Sequence, residues 1–299
     1  MKTVLVMLST YNGEKYLREQ LESLLAQKNV KISILVRDDG SSDGTQQILN
    51  EYQNKGCLSW YTGDNKKPAF SFIDLIFHAD NIYDYYAFCD QDDYWLPDKL
   101  EQAVFNLGSC NQNNSLLYYC NPEIVDEQRK HITVKNINNR SQYFDLMLLV
   151  YCVPGCTMVY NNVLQNFLRL HKPMYVTMHD CWVYYICVAL GGTVIGDHKT
   201  YIQYRQHGNN VIGTSKISIN KKVKMIVGNR TAPRNKMILE IMDTYNDYIP
   251  EGKNKDLLRV FSKYPNSINA KLKLLLIRRR GVALRSVVKA KCRILFNSL

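Results

Sequence analysis

The amino-acid sequence predicts an α/β fold, a mainly parallel sheet flanked by helices with a basic helical C-terminal extension. Three observations carry this expectation. Between residues 3 and 89, apolar runs of strand length alternate with segments of helical pattern. Three of those runs end in clusters of polar or acidic residues. The positive charge is gathered at one end of the chain. The composition, 299 residues with 46% hydrophobic and 22% charged, is that of a globular chain with one large domain, or one domain and an appendage.

The elements follow in order. Thr3 to Leu8 (TVLVML) is a continuous apolar run, as in a strand buried on both faces of a parallel sheet. Glu14 to Gln27 places Leu17, Leu21, Leu24 and Leu25 at helical spacing. Ile32 to Val36 is the second strand, and the turn Asp38 to Thr45 leads into a helix over Gln46 to Gln53. Leu58 to Tyr61 is the third strand, Phe70 to Ala79 a helix, and Tyr85 to Cys89 the fourth strand. Pro97 and Asp98 open the next helix. Further on, Leu116 to Cys120, Cys156 to Tyr160 and Thr200 to Gln206 read as strands, with helices over Ser141 to Val150 and Asp180 to Leu190. From about residue 215 the chain reads as helical and increasingly basic, which divides it into a domain over 1–214 and an extension over 215–299.

The net charge of +11 is unevenly placed. Residues 253–299 hold 13 Lys or Arg against one acid, Asp256, and the rest of the chain has a net charge of −1. An anionic partner for the C-terminus is expected. Leu284, Val287, Val288, Cys292 and Leu295 recur at helical spacing, Arg285, Lys289 and Arg293 line a neighbouring face, and Leu272, Leu275 and Leu276 continue the pattern upstream. Such a helix suits an anionic membrane surface. The interleaved apolar residues favour that surface over nucleic acid, the partner in the rival reading of the tail as a nucleic-acid-binding arm. The bland alternative is a helical bundle packed on the main domain or at a homodimer interface. No signal peptide or membrane span is legible, and nine cysteines without an export signal read as reduced thiols. The expected location is cytoplasmic, peripheral to the inner face of the membrane.

In open parallel sheets, ligands bind beyond the carboxyl ends of the strands. Ser9, Thr10, Tyr11 and Asn12, then Asp38 to Asp43, then Asp90 to Asp93 all stand at such ends. Carboxylates as close as Asp90, Asp92 and Asp93 repel one another unless a cation lies among them. A mononucleotide crevice accounts for the set. Asp38 or Asp39 can accept from a pyrimidine N3–H or a ribose hydroxyl, and Asp90 and Asp92 can divide between the ribose and Mg²⁺ or Mn²⁺. The first loop, STYNGE, lacks the glycines of G-x-G-x-x-G, and no G-x-x-x-x-G-K-[ST] occurs, which disfavours dinucleotide and P-loop sites.

S-T-Y-N-G after the first strand, V-R-D-D-G-S-S-D-G-T after the second and C-D-Q-D-D-Y-W-L-P-D-K-L after the fourth resemble family 2 glycosyltransferases, more narrowly bacterial rhamnosyltransferases of surface polysaccharides. The resemblance covers roughly residues 1–210. It implies a GT-A fold, a nucleotide-sugar donor and a D-x-D motif that holds a metal on the diphosphate. Carried over, Asp39 reads the base with Ser9 and Tyr11 lining its pocket, Asp90 contacts the ribose or sugar, and Asp92 ligates the metal. In M-H-D-C-W, residues 178–182, Asp180 matches the general base of inverting members; on the residues alone it reads as a helix N-cap. His207 matches a position where relatives place a metal-ligating His, and Arg205 one that neutralises the diphosphate. The expected donor is dTDP-β-L-rhamnose and the expected acceptor a lipid-linked saccharide. One departure is G-D-N-K-K-P, residues 63–68, where relatives commonly have a glycine near Lys67. Trp95 and Trp182 can line a sugar platform or fill the core, and core is the favoured reading.

Overall fold

In the computed structural model, strand β1 (Thr3–Thr10) runs through the interior, its apolar run buried as the sequence requires. The structure describes residues 1–137, 144–149, 153–208 and 233–277, together with 288, 291, 292, 294 and 295. β1 pairs in parallel with β2 (Lys31–Asp38) on one side and β4 (Tyr85–Asp90) on the other, and β3 (Ser59–Thr62) extends the sheet beyond β2. The register sets Ser9 opposite both Arg37 and Asp90, and Thr10 opposite Asp38. The three polar loops therefore leave one rim of the sheet at one level.

The helices α1 (Glu14–Leu25), α2 (Thr45–Asn54) and α3 (Lys67–His78) make the crossovers, and α4 (Lys99–Gly108) follows the acidic loop. Alternation along β1 divides the core between two faces. Val4, Val6 and Leu8 pack with α1, α2 and α4, whereas Leu5 and Met7 pack with Phe72 and Ile76 of α3. Beyond α4 the sheet becomes mixed. β6 (Leu116–Val125) and β8 (Met158–Asn161) run antiparallel to each other, and β8 is antiparallel to β4. β9 (Thr193–Arg205) lies parallel to β6, with β7 (His131–Val134) on β6 and the two-residue β5 (Tyr94–Trp95) on β9. The parallel character expected from the sequence is thus confined to the first half and the β6–β9 pair. β9 starts at Thr193, earlier than expected, and crosses an irregularity at Cys120/Asn121 of its partner.

Helix α5 (Phe144–Leu149) falls inside the expected segment. Helix α6 (Asn162–Leu168), capped by the Asn161 side chain on Leu164 N, was not expected. Helix α7 (His179–Ala189) is buried almost throughout, as its aromatic-rich sequence requires. The chain then continues in α8 (Pro233–Tyr245), α9 (Lys253–Lys263) and α10 (Ile268–Leu275). Their apolar residues Ile238, Tyr245, Leu258, Phe261 and Leu274, with Tyr264 of the turn after α9, join Trp182 and Tyr185 of α7 in one core. Tyr245 Oη also donates to Phe167 O at 3.1 Å, and Asn254 Nδ2 to Val188 O at 3.3 Å. These helices pack on the main body. The boundary expected at 214/215 lies outside the described residues, as do Leu284, Arg285, Val287, Lys289 and Arg293. On α10 the outward stripe is Ile268, Leu272 and Leu276, while Leu275 turns toward the core. Val288 and Leu295 are also exposed, whereas Ile294 is buried. Among the described residues no helix is long and apolar enough to cross a membrane.

One connection matters for the site. The segment between α6 and α7 is gripped by Glu240 of α8, which accepts from Met174 N at 2.6 Å and Tyr175 N at 3.1 Å and meets His171 Nε2 at 2.7 Å. On its other side, Lys172 Nζ reaches Asp74 of α3 at 3.1 Å.

Candidate active site

At the end of β4, the side chains of Asp90, Gln91, Asp92 and Asp93 divide the work. Gln91 straps two loops together: Oε1 accepts from Thr10 Oγ1 at 2.6 Å and Tyr11 N at 2.8 Å, and Nε2 donates to Tyr11 O at 3.2 Å. Gly13 is required beside this strap, because a Cβ there would come within 2.5 Å of Gln91 Oε1. Asp90 is half-buried. Burial, then the charges of Asp92 and Asp180, push its carboxyl up to about 7. Asp93 is buried and faces inward, with Oδ1 accepting from Arg205 N at 3.3 Å. Burial and the neighbouring acids raise its pKa well above the usual range.

Beneath the acids, Lys99 is fully buried with Nζ 3.3 Å from the Trp95 ring centroid, and burial lowers its pKa. Trp95 and Trp182 are both inaccessible and serve packing.

Asp92 Oδ2 and His207 Nε2 are 2.7 Å apart, and the imidazole lies against Tyr16 with ring centroids at 5.0 Å. A hard carboxylate beside a ring nitrogen at the crevice rim suits Mg²⁺ or Mn²⁺, ions that keep waters and take phosphate oxygens for their other positions. A second set of ligand-type atoms, from Asp90, Asp93 and Cys156, lies within 4.8 Å of one another. Burial, then Asp93 and Asp90, drive the Cys156 thiol well above its ordinary pKa, so it is a poor metal ligand.

Arg205 departs from its expected place on the diphosphate. It is 3% exposed, Nε donates to Asp92 O at 3.0 Å, Nη1 to Glu127 O, and Nη2 pairs with Glu19. Its guanidinium also stacks over Tyr16 at 4.7 Å. A fork committed in this way anchors the backbone of Asp92.

At the other end of the crevice Asp38 and Asp39 have different partners. Asp38 is consumed by its own turn, accepting from Ser41 N at 3.0 Å, from Ser41 Oγ and from Gln46 Nε2 at 2.8 Å. Asp39 is buried against Arg37, with Oδ2 accepting from Lys66 N at 3.2 Å. Ser9 Oγ meets Ser71 Oγ of α3 at 2.6 Å, and Tyr11 is 48% exposed, its ring open to a stacking partner. Asn12 takes the left-handed conformation with φ 48° and ties the first loop to the second through Ser42 N at 2.9 Å. Lys67 also has a positive φ, 60°, and is exposed. That conformation explains why a glycine suits this position.

Helix α7 begins at His179 with Met178 as its cap residue, so Asp180 is one position inside the helix and is not the N-cap. Asp180 is 6% exposed, accepts from Cys181 N at 2.6 Å and acts electrostatically on Asp90. The helix N-terminus favours a negative group there. The preceding His179 is buried between Phe72, at 4.0 Å, and Phe88, at 4.8 Å, and neither ring nitrogen has a hydrogen-bond partner. Gly155 makes its room, since a Cβ there would stand 2.2 Å from His179 Nε2. Sequence reasoning missed His179 as a structural element, as well as Arg37, Ser71 and Asp74. Arg37 and His179 were inside quoted motifs, whereas Ser71 and Asp74 carried no local signal.

The carboxylates Asp39, Asp90, Asp92 and Asp180 thus occupy one rim, and the profile of the Glycosyl transferase family 2 matches residues 5–167. The chain belongs to that family. This glycosyltransferase is 33% identical over 238 residues to the dTDP-rhamnosyl transferase RfbG of Shigella flexneri, a match over 73% of this chain and 78% of the relative. It is 26% identical over 220 residues to an uncharacterised glycosyltransferase of Rickettsia typhi, covering 71% of this chain and 66% of that one. Its fold is similar to that of residues 1–349 of S. aureus TarS in complex with UDP-GlcNAc, with TM-score 0.58 and 19% identity over 97% of this chain and 79% of that fragment. It also resembles the mannosyltransferase PcManGT of Pyrobaculum calidifontis, in complex with GDP-Man and Mn²⁺, with TM-score 0.56 and 15% identity over 97% and 73% of the chains. The α/β architecture is of the GT-A type, and a nucleotide-sugar is the donor class of this enzyme.

Proposed function

We propose that this glycosyltransferase transfers L-rhamnose from dTDP-β-L-rhamnose, with inversion, to a lipid-linked or saccharide acceptor in the synthesis of a cell-surface polysaccharide. The observation that carries the reaction is Asp180, set in the first turn of α7 within electrostatic reach of Asp90. The likeness to a dTDP-rhamnosyl transferase supports the donor.

In this reading Asp39 accepts from the N3–H of the base, the Tyr11 ring lies over it, and Ser9, Thr10 and Asn12 shape the pocket wall. Asp90 meets the ribose or the sugar. Asp92 and His207 hold Mg²⁺ or Mn²⁺, which when bound offsets the charge of the departing diphosphate. Asp180 takes the proton of the acceptor hydroxyl, whose oxygen bonds to the anomeric carbon while the bond to the diphosphate oxygen breaks on the opposite face. A positioned base of this kind contributes about 10²–10⁴-fold.

The C-terminal surface completes the reading. Ile268, Leu272 and Leu276 project from α10 beside Lys271 and Lys273, within a tail of net charge +12. Near an anionic leaflet each basic residue is worth about 1 kcal/mol. Docking at the cytoplasmic face would bring the crevice to a lipid-linked acceptor. The test is a screen of nucleotide-sugars with Mg²⁺ and Mn²⁺, scored by released nucleoside diphosphate. Turnover of dTDP-rhamnose above UDP- and GDP-sugars is expected, and preference for another donor overturns the sugar assignment.

A further inference from the structure

Asp74 lies on α3, one turn beyond Ser71, and its side chain is 5% exposed. Five groups converge on its carboxylate, among them His78 Nδ1 of the same helix at 3.4 Å from Oδ2. Oδ2 accepts from Arg37 Nε at 3.1 Å and from Tyr61 Oη at 3.3 Å; Oδ1 accepts from Lys66 Nζ at 2.8 Å and from Lys172 Nζ at 3.1 Å. Burial works against the ionised form, and the bonds to Lys66, Lys172 and Arg37 outweigh it, holding the carboxyl well below its usual range.

The same partners surround Asp39. Arg37 pairs with Asp39 Oδ1 and donates through Nη2 to Asp64 O at 2.9 Å; the Lys66 backbone donates to Asp39 Oδ2. Arg37, Lys66 and Lys172 bring three positive charges to the cluster, and Asp39 and Asp74 answer with two negative ones. Arg37 is 1% exposed, so its charge must be met inside the protein. With Asp74 present that demand is shared. With Asp74 neutral it falls on Asp39 alone, and the ion pair that already holds this carboxylate tightens at the expense of a ligand N–H.

We infer that Asp74 is a positioning residue for nucleotide recognition, which divides the charge of Arg37 and Lys66 and so leaves Asp39 able to accept from a base. The inference rests on the reading of Asp39 as the group that meets the base. Lys172 ties the α6–α7 segment to the same carboxylate.

Calorimetric titration of the full chain with dTDP tests both points. Asp39→Asn weakens dTDP binding if the base reading holds. Asp74→Asn weakens it about tenfold, the usual scale for a lost charge-assisted contact. Asp74→Glu, which keeps the charge, recovers most of that loss. In steady-state assays Asp74→Asn raises the KM for the donor and leaves kcat near the wild-type value. Wild-type dTDP affinity in Asp74→Asn alongside weakened Asp39→Asn overturns the inference alone, and unchanged affinity in Asp39→Asn removes the base reading with it. A fall in kcat and in melting temperature with no change in KM shows a merely structural acid, and also overturns it. Where Asp74→Asn alone does not fold, Asp74→Asn with Lys172→Met restores the charge of the cluster and carries the same prediction.

Discussion

Replacing His179 by leucine should make the protein less sensitive to acid. His179 is fully buried without a polar partner, and burial pushes its pKa down from 6.5 to about 3. The folded state therefore holds the ring neutral over a range in which the unfolded chain takes up a proton. Above the unfolded pKa the residue contributes nothing to the pH dependence. As pH falls through 6.5 the unfolded state gains the proton and stability is lost, progressively until the folded pKa is reached. At pH 5 the loss from this one group is about 2 kcal/mol. The informative quantity is thus the difference between wild type and His179→Leu in urea unfolding at pH 7.5 and pH 5. The variant should lose about 2 kcal/mol less than wild type over that interval. Equal losses, or an NMR titration of His179 near its ordinary pKa, would refute the buried neutral ring.

Three further outcomes are expected. Asp180→Asn should bind dTDP as wild type does and lose about 10²–10⁴-fold in transfer, measured by acceptor glycosylation; full transfer would leave Asp180 a structural residue of α7. Asp92→Ala should weaken Mn²⁺ binding in a direct titration and abolish metal-stimulated turnover while the melting temperature holds; unchanged Mn²⁺ affinity takes Asp92 out of the metal set. Changing Ile268, Leu272 and Leu276 together to glutamine should leave melting and donor hydrolysis intact and release the protein from anionic liposomes in sedimentation. Continued pelleting moves the contact elsewhere on the surface.

The rim of the crevice was legible because each of its parts is local. A strand buried on both faces shows as an unbroken apolar run, and the polar cluster that ends it marks the loop. β1, β2 and β4 and the loops after them follow from that alone. β5 was missed because two residues, Tyr94 and Trp95, cannot show a period, and α6 because its seven residues fall just short of two turns. Asp74 was invisible for another reason. Its partners at positions 37, 66 and 172 meet only when β2, the β3–α3 loop and the α6–α7 segment fold together. The C-terminal helices show the same limit. Amphipathic spacing announces that a face will be covered and leaves open by what. Leu275 and Leu272 were read as one stripe, yet the former turns inward and the latter joins Ile268 outside.

Glu240 carries a lesson for engineering. A chimera that exchanged the C-terminal helices for those of a relative would be cut between α7 and α8. In this chain that cut passes through a working joint, because the carboxylate holding Met174 N and Tyr175 N belongs to α8, and the segment it holds leads directly to Asp180. A graft without an acid at position 240 would remove the acceptor of both backbone donors and leave the start of α7 badly seated, whatever the quality of its new surface. Donor-side sequence, acceptor-side sequence and this one residue from the C-terminal helices have to be exchanged as a set.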